Sequence, residues 1–229
     1  MKYLISFFIC LCHFSIFSEE KLNNELIKKF ILQNPEIIIE SLQKYEQSLE
    51  KENVKKVKEL ISSNIDEIKK NNINFFSGNI KSQNIIYEFF DYNCGYCKRA
   101  HDEIKKVIKN NDVKVIFINS PILSDDSLKL AKLSIVIGEI NNVYFNKFHE
   151  FLLSSKKSEK EIKQFIKKLS LDYEKLIIES ESKLVAGIIN KNLEWAKLFK
   201  IRGTPAFIVK GELINGFVGS SILESLLFD

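Results

Sequence analysis

Residues 84–101 have the sequence NIIYEFFDYNCGYCKRAH, in which two cysteines stand three positions apart. The apolar, aromatic-rich run at residues 85–90 predicts a buried strand, and a short polar turn follows it. A helix is predicted from Cys94 to Ile108. The C-x-x-C motif formed by Cys94 and Cys97 therefore falls at the N-terminus of a helix that directly follows a strand.

A cysteine at a helix N-terminus is expected to be reactive, because unpaired backbone N–H groups and the helix dipole stabilise negative charge there. The pKa of Cys94 should therefore be lowered, so that its thiolate forms near neutral pH. The three-residue step also brings the sulfurs of Cys94 and Cys97 within disulfide reach. We expect Cys94 to be the exposed attacking thiol, and Cys97 to be the resolving thiol that attacks the mixed disulfide.

Three other uses of a C-x-x-C motif compete with this interpretation. A zinc site needs two more ligands, and the remaining candidates, His101 and His149, lack the usual paired spacing. Haem attachment requires a histidine directly after the second cysteine, where this chain has Lys98. A structural disulfide across so small a loop would add little stability. The sequence therefore favours a redox pair, with neither a metal site nor a cofactor.

The composition describes a soluble globular protein. With 229 residues, of which 45% are hydrophobic and 28% charged, the chain can form one sizeable domain with an accessory segment, or two small domains. The net charge is +4, and lysines and glutamates are interleaved along the chain. A nucleic-acid surface usually shows as a concentrated basic face, so we expect no nucleic-acid partner.

Residues 1–18 have the pattern of a bacterial secretory signal. Lys2 supplies the charged start, residues 4–17 form the apolar segment, and a serine ends it as a small residue suited to cleavage. The apolar run is shorter than the roughly 20 residues that span a bilayer, although an uncleaved anchor is the alternative. Cleavage would remove Cys10 and Cys12 and leave one thiol pair in an oxidising compartment, here the periplasm.

The segment that follows, residues 19–72, is predicted to be a helical extension interrupted at Asn34 and Pro35. Its apolar residues recur at helical and near-heptad spacing. Two interpretations remain open. The segment is either a stalk through which the chain forms a homo-oligomer, or an amphipathic helix that packs on its own domain.

The remainder of the chain, residues 73–229, begins with a strand–helix–strand pattern. Strands are predicted at residues 73–76, 85–90 and 113–118, with the helix of the cysteine motif before the last of them. This order indicates a parallel βαβ unit. The cysteine turn lies at the carboxyl end of its first strand, where open α/β sheets place their sites.

Only helical patterns follow from about residue 124 to about residue 200, which predicts a helical bundle inserted into the α/β domain. The α/β pattern then returns at residues 201–209. A tight turn at residues 210–211 predicts a hairpin with a returning strand at residues 213–218. A last helix is predicted at residues 221–228.

Together, the C-x-x-C motif, the helical insertion and the Gly203-Thr204-Pro205 segment before a strand resemble the thioredoxin superfamily, and within it the DsbA-like exported thiol–disulfide oxidoreductases. The resemblance implies an α/β, thioredoxin-like fold with an inserted helical domain, preceded by an N-terminal helical extension. It also implies that Cys94 and Cys97 form the active disulfide and that Pro205 is cis. The backbone of Thr204, with Pro205, would then dock an extended substrate strand.

Glu88 matches the buried carboxylate of DsbA-like proteins, six residues before the first cysteine. Burial should raise its pKa and make it a proton acceptor for Cys97 through water. A sheet-edge glutamate in a salt bridge is the alternative. His101, one turn beyond Cys97, is expected on a solvated helix face.

The resemblance has one departure. The family's archetype has Pro-His between its cysteines, whereas this chain has Gly95 and Tyr96, which we assign to the substrate-binding surface. The same pair occurs in the disulfide isomerase DsbC and in DsbA-like proteins of the suppressor-of-copper-sensitivity type, whose N-terminal extension the segment near Pro35 resembles. Without the histidine, the disulfide should be less oxidising than in the archetype.

The resemblance implies an exported protein-disulfide oxidoreductase, most simply a disulfide-forming oxidase. Its partners would be cysteine-containing exported proteins and a membrane redox partner that recycles the disulfide. An oligomeric isomerase or reductase, assembled through residues 19–72, is the first alternative. The second is a non-catalytic exported protein that binds copper or zinc, or that interacts through its surface, since soft thiolates also hold these metals.

Overall fold

The structure, a computed structural model, describes residues 23–228. The signal-like segment at residues 1–18 therefore lies outside the described residues. The chain divides into two compact units, the first ending at Val54 and the second beginning at Lys55. Between residues 23 and 228, no helix combines enough length with enough apolarity to span a bilayer.

The N-terminal segment is helical with one interruption. Helix α1 covers residues 23–33, and the side-chain amide of Asn34 donates a hydrogen bond back to the carbonyl of Phe30 (2.7 Å). Helix α2 begins at Pro35, where a missing N–H is tolerated, and ends at Asn71. The expected break at Asn34 and Pro35 is confirmed.

The second unit is built on a five-stranded sheet with the order β1-β3-β2-β4-β5. The strands are β1 (Phe76–Gly78), β2 (Ile85–Phe90), β3 (Lys114–Asn119), β4 (Ala206–Val209) and β5 (Glu212–Asn215). The central strand β2 runs parallel to β3, with Tyr87 opposite Ile116, and antiparallel to β4, with Tyr87 opposite Ile208. The predicted parallel βαβ unit is therefore confirmed.

Helices surround this sheet. They are α3 (Gly95–Asn110), α4 (Asp125–Ile140), α5 (Asn142–Ser154), α6 (Glu159–Lys168), α7 (Tyr173–Ser180), α8 (Lys183–Leu198) and α9 (Ser220–Phe228). Polar side chains begin most of them, as N-cap preferences require; Ser158, for example, forms a complete capping box with Glu161. Helices α4 to α8 lie between β3 and β4, so the predicted helical insertion is confirmed.

Alternate residues of β2 face two different hydrophobic clusters, because successive side chains of a strand point to opposite faces. Ile86 and Phe90 belong to the cluster that includes α3, α4 and α5. Tyr87 and Phe89 belong to the cluster on the other face, which includes α8. Glu88 shares the face of Ile86 and Phe90, so it points towards the helix that carries the cysteine motif.

The second half of α2 belongs to the core of the second unit. Ile61 and Ile68 are completely buried and pack in the cluster that contains Trp195 of α8. Residues 55–72 of the predicted extension therefore belong to the sheet domain. Only the part of the extension before Lys55 belongs to the first unit.

Candidate active site

Cys94 occupies the N-cap of α3. Its backbone is extended (φ −76°, ψ 118°), and its Sγ accepts a hydrogen bond from the backbone N–H of Cys97 (3.4 Å). The side chain at an N-cap normally satisfies one of the free N–H groups of the first helical turn. Here a sulfur takes that place, so it lies at the positive end of the helix dipole.

The local hydrogen bonds strongly favour the ionised form of Cys94 and lower its pKa to about 5. The largest cause is a hydrogen bond from the side chain of Cys97. Burial opposes it, while the side chain of Thr204 and the backbone N–H groups of Cys97 and Tyr96 lower the pKa further. At neutral pH, Cys94 is therefore a thiolate.

Cys97 has the opposite protonation state. It is completely buried, and its pKa is raised by burial, by its hydrogen bond to Cys94 and by the charge of Glu88. Both cysteines are free thiols in the structure. One sulfur is thus ionised and the other protonated, which is the arrangement needed for an attacking thiol and a resolving thiol.

Cys94 is less exposed than we expected for the attacking thiol. Only 7% of the residue is accessible, and the carbonyl oxygen of Thr204 lies 3.1 Å from its Sγ. The peptide bond between Thr204 and Pro205 is cis, as the resemblance implies. Pro205 is buried, and its carbonyl accepts a hydrogen bond from Gly216 (2.9 Å), which ties this segment to the chain after β5. Thr204 and Pro205 therefore lie directly against the reactive sulfur.

Glu88 lies in the middle of the central strand. It is 1% exposed, and its Oε1 has no hydrogen-bond partner among the described residues. Burial, followed by the negative charge of Cys94, raises its pKa to about 8. The sheet-edge alternative does not hold, because β2 has neighbours on both sides. At neutral pH, Glu88 is mostly protonated and is poised to exchange a proton.

Asp91 is a further residue of the site, and its role is not predicted from the sequence. Its Oδ1 accepts a hydrogen bond from the N–H of Asn93 (2.8 Å), and its Oδ2 accepts two from the N–H groups of Ile122 and Leu123 (3.0 and 3.1 Å). The buried carboxylate therefore joins the loop before Cys94 to the loop between β3 and α4. The only sequence signal was an aspartate in a turn, two residues before the N–H that it binds.

His101 is buried, so the expectation of a solvated histidine was wrong. The residue is 7% exposed because α5 packs over this face of α3 and brings the ring of His149 to 5.3 Å. The Nδ1 of His149 lies 3.1 Å from the hydroxyl of Tyr92. Burial lowers the pKa of His101 to about 4 and that of His149 further below its ordinary value. Both rings are neutral at physiological pH.

The two residues between the cysteines face solvent. A side chain at Gly95 would meet no other atom within 4 Å, and Tyr96 is 58% exposed. The guanidinium of Arg99 lies over the ring of Tyr96 (5.4 Å) and over that of Phe217 (4.7 Å). Tyr96 and Phe217 therefore form an open aromatic surface beside the cysteine motif.

Within residues 23–228, no group of three or more histidine, cysteine or acidic side chains is arranged to hold a metal ion. What the site does contain is an ionised sulfur, a protonated sulfur and a buried carboxyl group. These are the components of thiol–disulfide exchange, in which a thiolate attacks one sulfur of a disulfide and the other sulfur leaves.

The structure is similar to solved structures of thiol–disulfide proteins. For the thiol-disulfide exchange protein alpha-DsbA2 from Wolbachia pipientis, the identity is 28% and the TM-score 0.67, over 75% of this chain and 94% of that chain. For a periplasmic thioredoxin-like protein from Salmonella enterica serovar Typhimurium, the identity is 27% and the TM-score 0.58, over 70% and 93% of the two chains. A linker-deletion mutant of ScsC from Proteus mirabilis shares the fold, with 23% identity and a TM-score of 0.67 over 91% and 92%.

No curated protein matches the chain. A family model described as thioredoxin matches residues 70–227, which is more than half of the sequence. The match includes the sheet, the helical insertion and both cysteines. The chain therefore belongs to the thioredoxin family, and its architecture is that of the DsbA-like members.

Proposed function

We propose that this protein is an exported protein-disulfide oxidoreductase and that it works as a disulfide-forming oxidase. The observation that carries the proposal is the pairing of an ionised Cys94 with a protonated Cys97 beneath the Thr204–Pro205 segment. Export to the periplasm is supported by the signal-like pattern of residues 1–18 and by the periplasmic thioredoxin-like protein among the similar structures.

In the proposed reaction, a substrate thiolate attacks Sγ of Cys94 in the Cys94–Cys97 disulfide. The bond between the two enzyme sulfurs breaks, Cys97 leaves and takes up a proton, and Cys94 carries the mixed disulfide. A second substrate thiol then attacks the substrate sulfur of that bond, and Cys94 leaves as a thiolate. The substrate loses two electrons and gains a disulfide, while the enzyme pair is reduced. A membrane redox partner would reoxidise the pair.

Thr204 and Pro205 would position the substrate in this scheme. They lie against the reactive sulfur, so an extended substrate strand that pairs with the backbone of Thr204 would bring its cysteine to Cys94. Gly95 and Tyr96 complete the open side of the surface. Glu88 would exchange a proton with Cys97: its protonated form, the major one at pH 7 because its pKa is about 8, would supply the proton that Cys97 takes up on leaving, and its ionised form would accept that proton again during reoxidation.

The lowered pKa of Cys94 also favours oxidation of the substrate. A thiolate whose pKa is about 5 instead of 9 stabilises the reduced protein at pH 7. Only the part of the shift below pH 7 counts, so the effect is about 3 kcal/mol at 1.36 kcal/mol per unit. For a two-electron couple this corresponds to about 60 mV towards a more oxidising potential.

The decisive experiment is refolding of reduced ribonuclease by the oxidised protein, compared with Cys94→Ser and Cys97→Ser variants. We expect the wild type to form disulfides and both variants to be inactive, because neither variant can hold the Cys94–Cys97 disulfide. When disulfide-bonded ribonuclease is supplied instead, the Cys94 thiolate of Cys97→Ser should attack it and accumulate mixed disulfides, since the resolving thiol is missing. Activity that survives in Cys94→Ser would overturn the proposal. So would stoichiometric copper or zinc in anaerobically purified protein that shows no turnover, which would favour the metal-binding alternative.

A second candidate, an oligomeric disulfide isomerase, is favoured by the apolar surface of the first unit. Ile38, Leu42, Tyr45 and Leu49 recur at four- and three-residue steps, and each is at least 40% exposed. Such a stripe is typical of helices that associate with a second copy of the chain. An oligomer whose disulfide is kept reduced would rearrange substrate disulfides instead of forming them.

Solution mass and a scrambled-ribonuclease assay separate the two candidates. If the second is correct, the wild type is an oligomer, Leu42→Lys with Tyr45→Lys is a monomer, and only the oligomer rearranges disulfides. Gln43→Lys with Gln47→Lys adds the same two charges outside the stripe and should keep the oligomer. A monomeric wild type would contradict the second candidate and leave the oxidase proposal.

A further inference from the structure

Four cationic side chains surround the cysteine motif. Lys98 and Arg99 follow Cys97 on the first turns of α3, while Lys156 and Lys157 lie in the loop between α5 and α6. None of the four forms an ion pair within residues 23–228, whereas other surface lysines of the chain do pair with carboxylates. Lys157 contacts neutral groups, the hydroxyl of Ser155 (2.6 Å) and the ring of Phe151 (4.7 Å), so no paired carboxylate neutralises these four charges among the described residues.

Lys156 and Lys157 border a cavity that reaches the active-site loop. The cavity has a volume of about 140 Å³, and Asn93, the residue directly before Cys94, is also part of its wall. Asp126 and Glu159 border it too, but Glu159 already lies 3.4 and 3.8 Å from the ammonium groups of two other lysines. The loop lysines thus border the same cavity as the residue that directly precedes the reactive cysteine.

Lys98 connects this cluster to the thiolate. Burial lowers its pKa, and the positive charges of Lys157 and Lys156 lower it further, while the charge of Cys94 acts in the opposite direction. The ammonium group of Lys98 therefore lies close enough to those of Lys156 and Lys157 to be repelled by them. A negative group placed between these ammonium groups would relieve the repulsion, because it would attract each of them.

Arg99 places a fourth positive charge beside the motif, next to Tyr96. Its guanidinium is held over the rings of Tyr96 and Phe217, and the residue is exposed. Phe217 directly follows Gly216, whose N–H donates to the carbonyl of Pro205 (2.9 Å). Arg99 therefore belongs to the side of the site where the cis-proline segment lies.

We propose that Lys98, Arg99, Lys156 and Lys157 form a cationic rim that selects polypeptide segments with aspartate or glutamate next to the reacting cysteine. This inference rests on the proposed oxidoreductase function and adds a substrate class to it. A segment bound at Cys94 would have the loop lysines near Asn93 and Arg99 near the residues that bind the carbonyl of Pro205. Carboxylates on both flanks of its cysteine would then meet opposite charge, and lysines on those flanks would be repelled.

The test uses the oxidised full-length protein and three dithiol peptides that differ only in the residues flanking their cysteines, which are all glutamate, all glutamine or all lysine. Each peptide is oxidised to its disulfide while the Cys94–Cys97 bond is reduced, and the single-turnover rate is followed by acid quench and chromatography. At low ionic strength we expect the glutamate peptide to react about tenfold faster than the lysine peptide, with the glutamine peptide between them.

Salt and charge-removing variants identify the origin of this preference. At about 1 M salt, where screening acts within about 3 Å, the ratio between peptides should fall towards one. The variant with Lys98→Gln, Lys156→Gln and Lys157→Gln should lose most of the ratio at low salt. Lys109→Gln, which removes an exposed lysine at the far end of the same helix, should keep it. The rate with neutral dithiothreitol and the thiolate titration of Cys94 show whether a variant has altered the sulfur itself.

Each outcome decides the inference. If the wild type oxidises all three peptides at similar rates, the rim does not select substrates, although the oxidoreductase function stands. If the triple variant keeps the tenfold ratio, the preference arises elsewhere and the inference is wrong. If the wild type oxidises neither the peptides nor dithiothreitol, the proposed function fails and the inference fails with it.

Discussion

The buried carboxyl group of Glu88 gives the most stringent prediction, because its protonation must change the stability of the protein with pH. Glu88 is 1% exposed on the central strand, and burial together with the Cys94 thiolate raises its pKa to about 8. Glu88→Gln keeps the size and shape of the side chain but cannot ionise. The pH-dependent difference in the free energy of unfolding between the two proteins therefore reports the proton of Glu88.

The sign follows from where the proton is bound. In the unfolded chain the carboxyl group ionises near pH 4.5, whereas in the folded protein it stays protonated until about pH 8. Between these values the unfolded chain binds fewer protons, so the free energy of unfolding falls as the pH rises. At 1.36 kcal/mol per unit, the loss attributable to Glu88 is about 3 kcal/mol at pH 7.

Urea unfolding of the reduced proteins between pH 4.5 and pH 8 measures this effect. Burying an amide without partners costs about 1–3 kcal/mol in the variant at every pH, so the quantity that matters is how the difference between the two proteins changes. We expect Glu88→Gln to gain about 3 kcal/mol relative to the wild type from pH 4.5 to pH 7. Glu212→Gln, which removes an exposed carboxylate from the same sheet, is the matched control.

A difference that stays constant over this range would refute the reasoning, because the carboxyl group would then ionise in the folded protein as it does in the unfolded chain. The oxidised protein supplies a second check. It lacks the Cys94 thiolate, which is one cause of the raised pKa of Glu88. The gain of the variant should therefore be smaller in the oxidised than in the reduced protein.

The remaining predictions concern the neighbours of the same site. Cys97→Ala removes the largest cause of the lowered pKa of Cys94, so that pKa should rise by about one to two units in a thiolate absorbance titration, and an unchanged pKa would contradict the assignment. Asp91→Asn places an amide N–H opposite a backbone N–H, so one hydrogen bond of the loop is lost. Urea unfolding should show a free energy of unfolding lower by about 1–3 kcal/mol. Equal stability would show that these hydrogen bonds do not hold the loop. His101 has its pKa lowered to about 4, so stability is lost as the pH falls below that of the unfolded side chain. From pH 6.5 to pH 5 the wild type should lose about 2 kcal/mol relative to His101→Gln, and the absence of that loss would mean that the ring is protonated in the fold.

Local patterns in the sequence were sufficient for the elements that carry the cysteines. The apolar run of β2, the helix that starts at Cys94 and the Thr204–Pro205 segment before a strand all depend on neighbouring residues, and all were predicted close to their observed positions. The inward direction of Glu88 follows from the alternation of successive side chains between the two faces of β2. These features could be predicted because strand and helix periodicities are set within a few residues.

Contacts between distant segments were not visible in the sequence. His101 looked solvated because its own helix offers a polar face, and only the packing of α5 brings His149 against it. Cys94 looked exposed because the covering carbonyl of Thr204 comes from 110 residues further along the chain. In the same way, Ile61 is buried by a cluster from the sheet and α8. Such tertiary contacts override local pattern and require the fold to be known.

The central claim is that Cys94 and Cys97 form a reversible redox pair whose reduced form is stabilised by an ionised sulfur. Equilibration of the protein with glutathione buffers of defined ratio measures this directly as a reduction potential. We expect a single two-electron transition. Its reduction potential should lie above the roughly −270 mV of thioredoxin and below the roughly −120 mV of DsbA. A potential below that of thioredoxin, or two cysteines that never form a disulfide with each other, would contradict it.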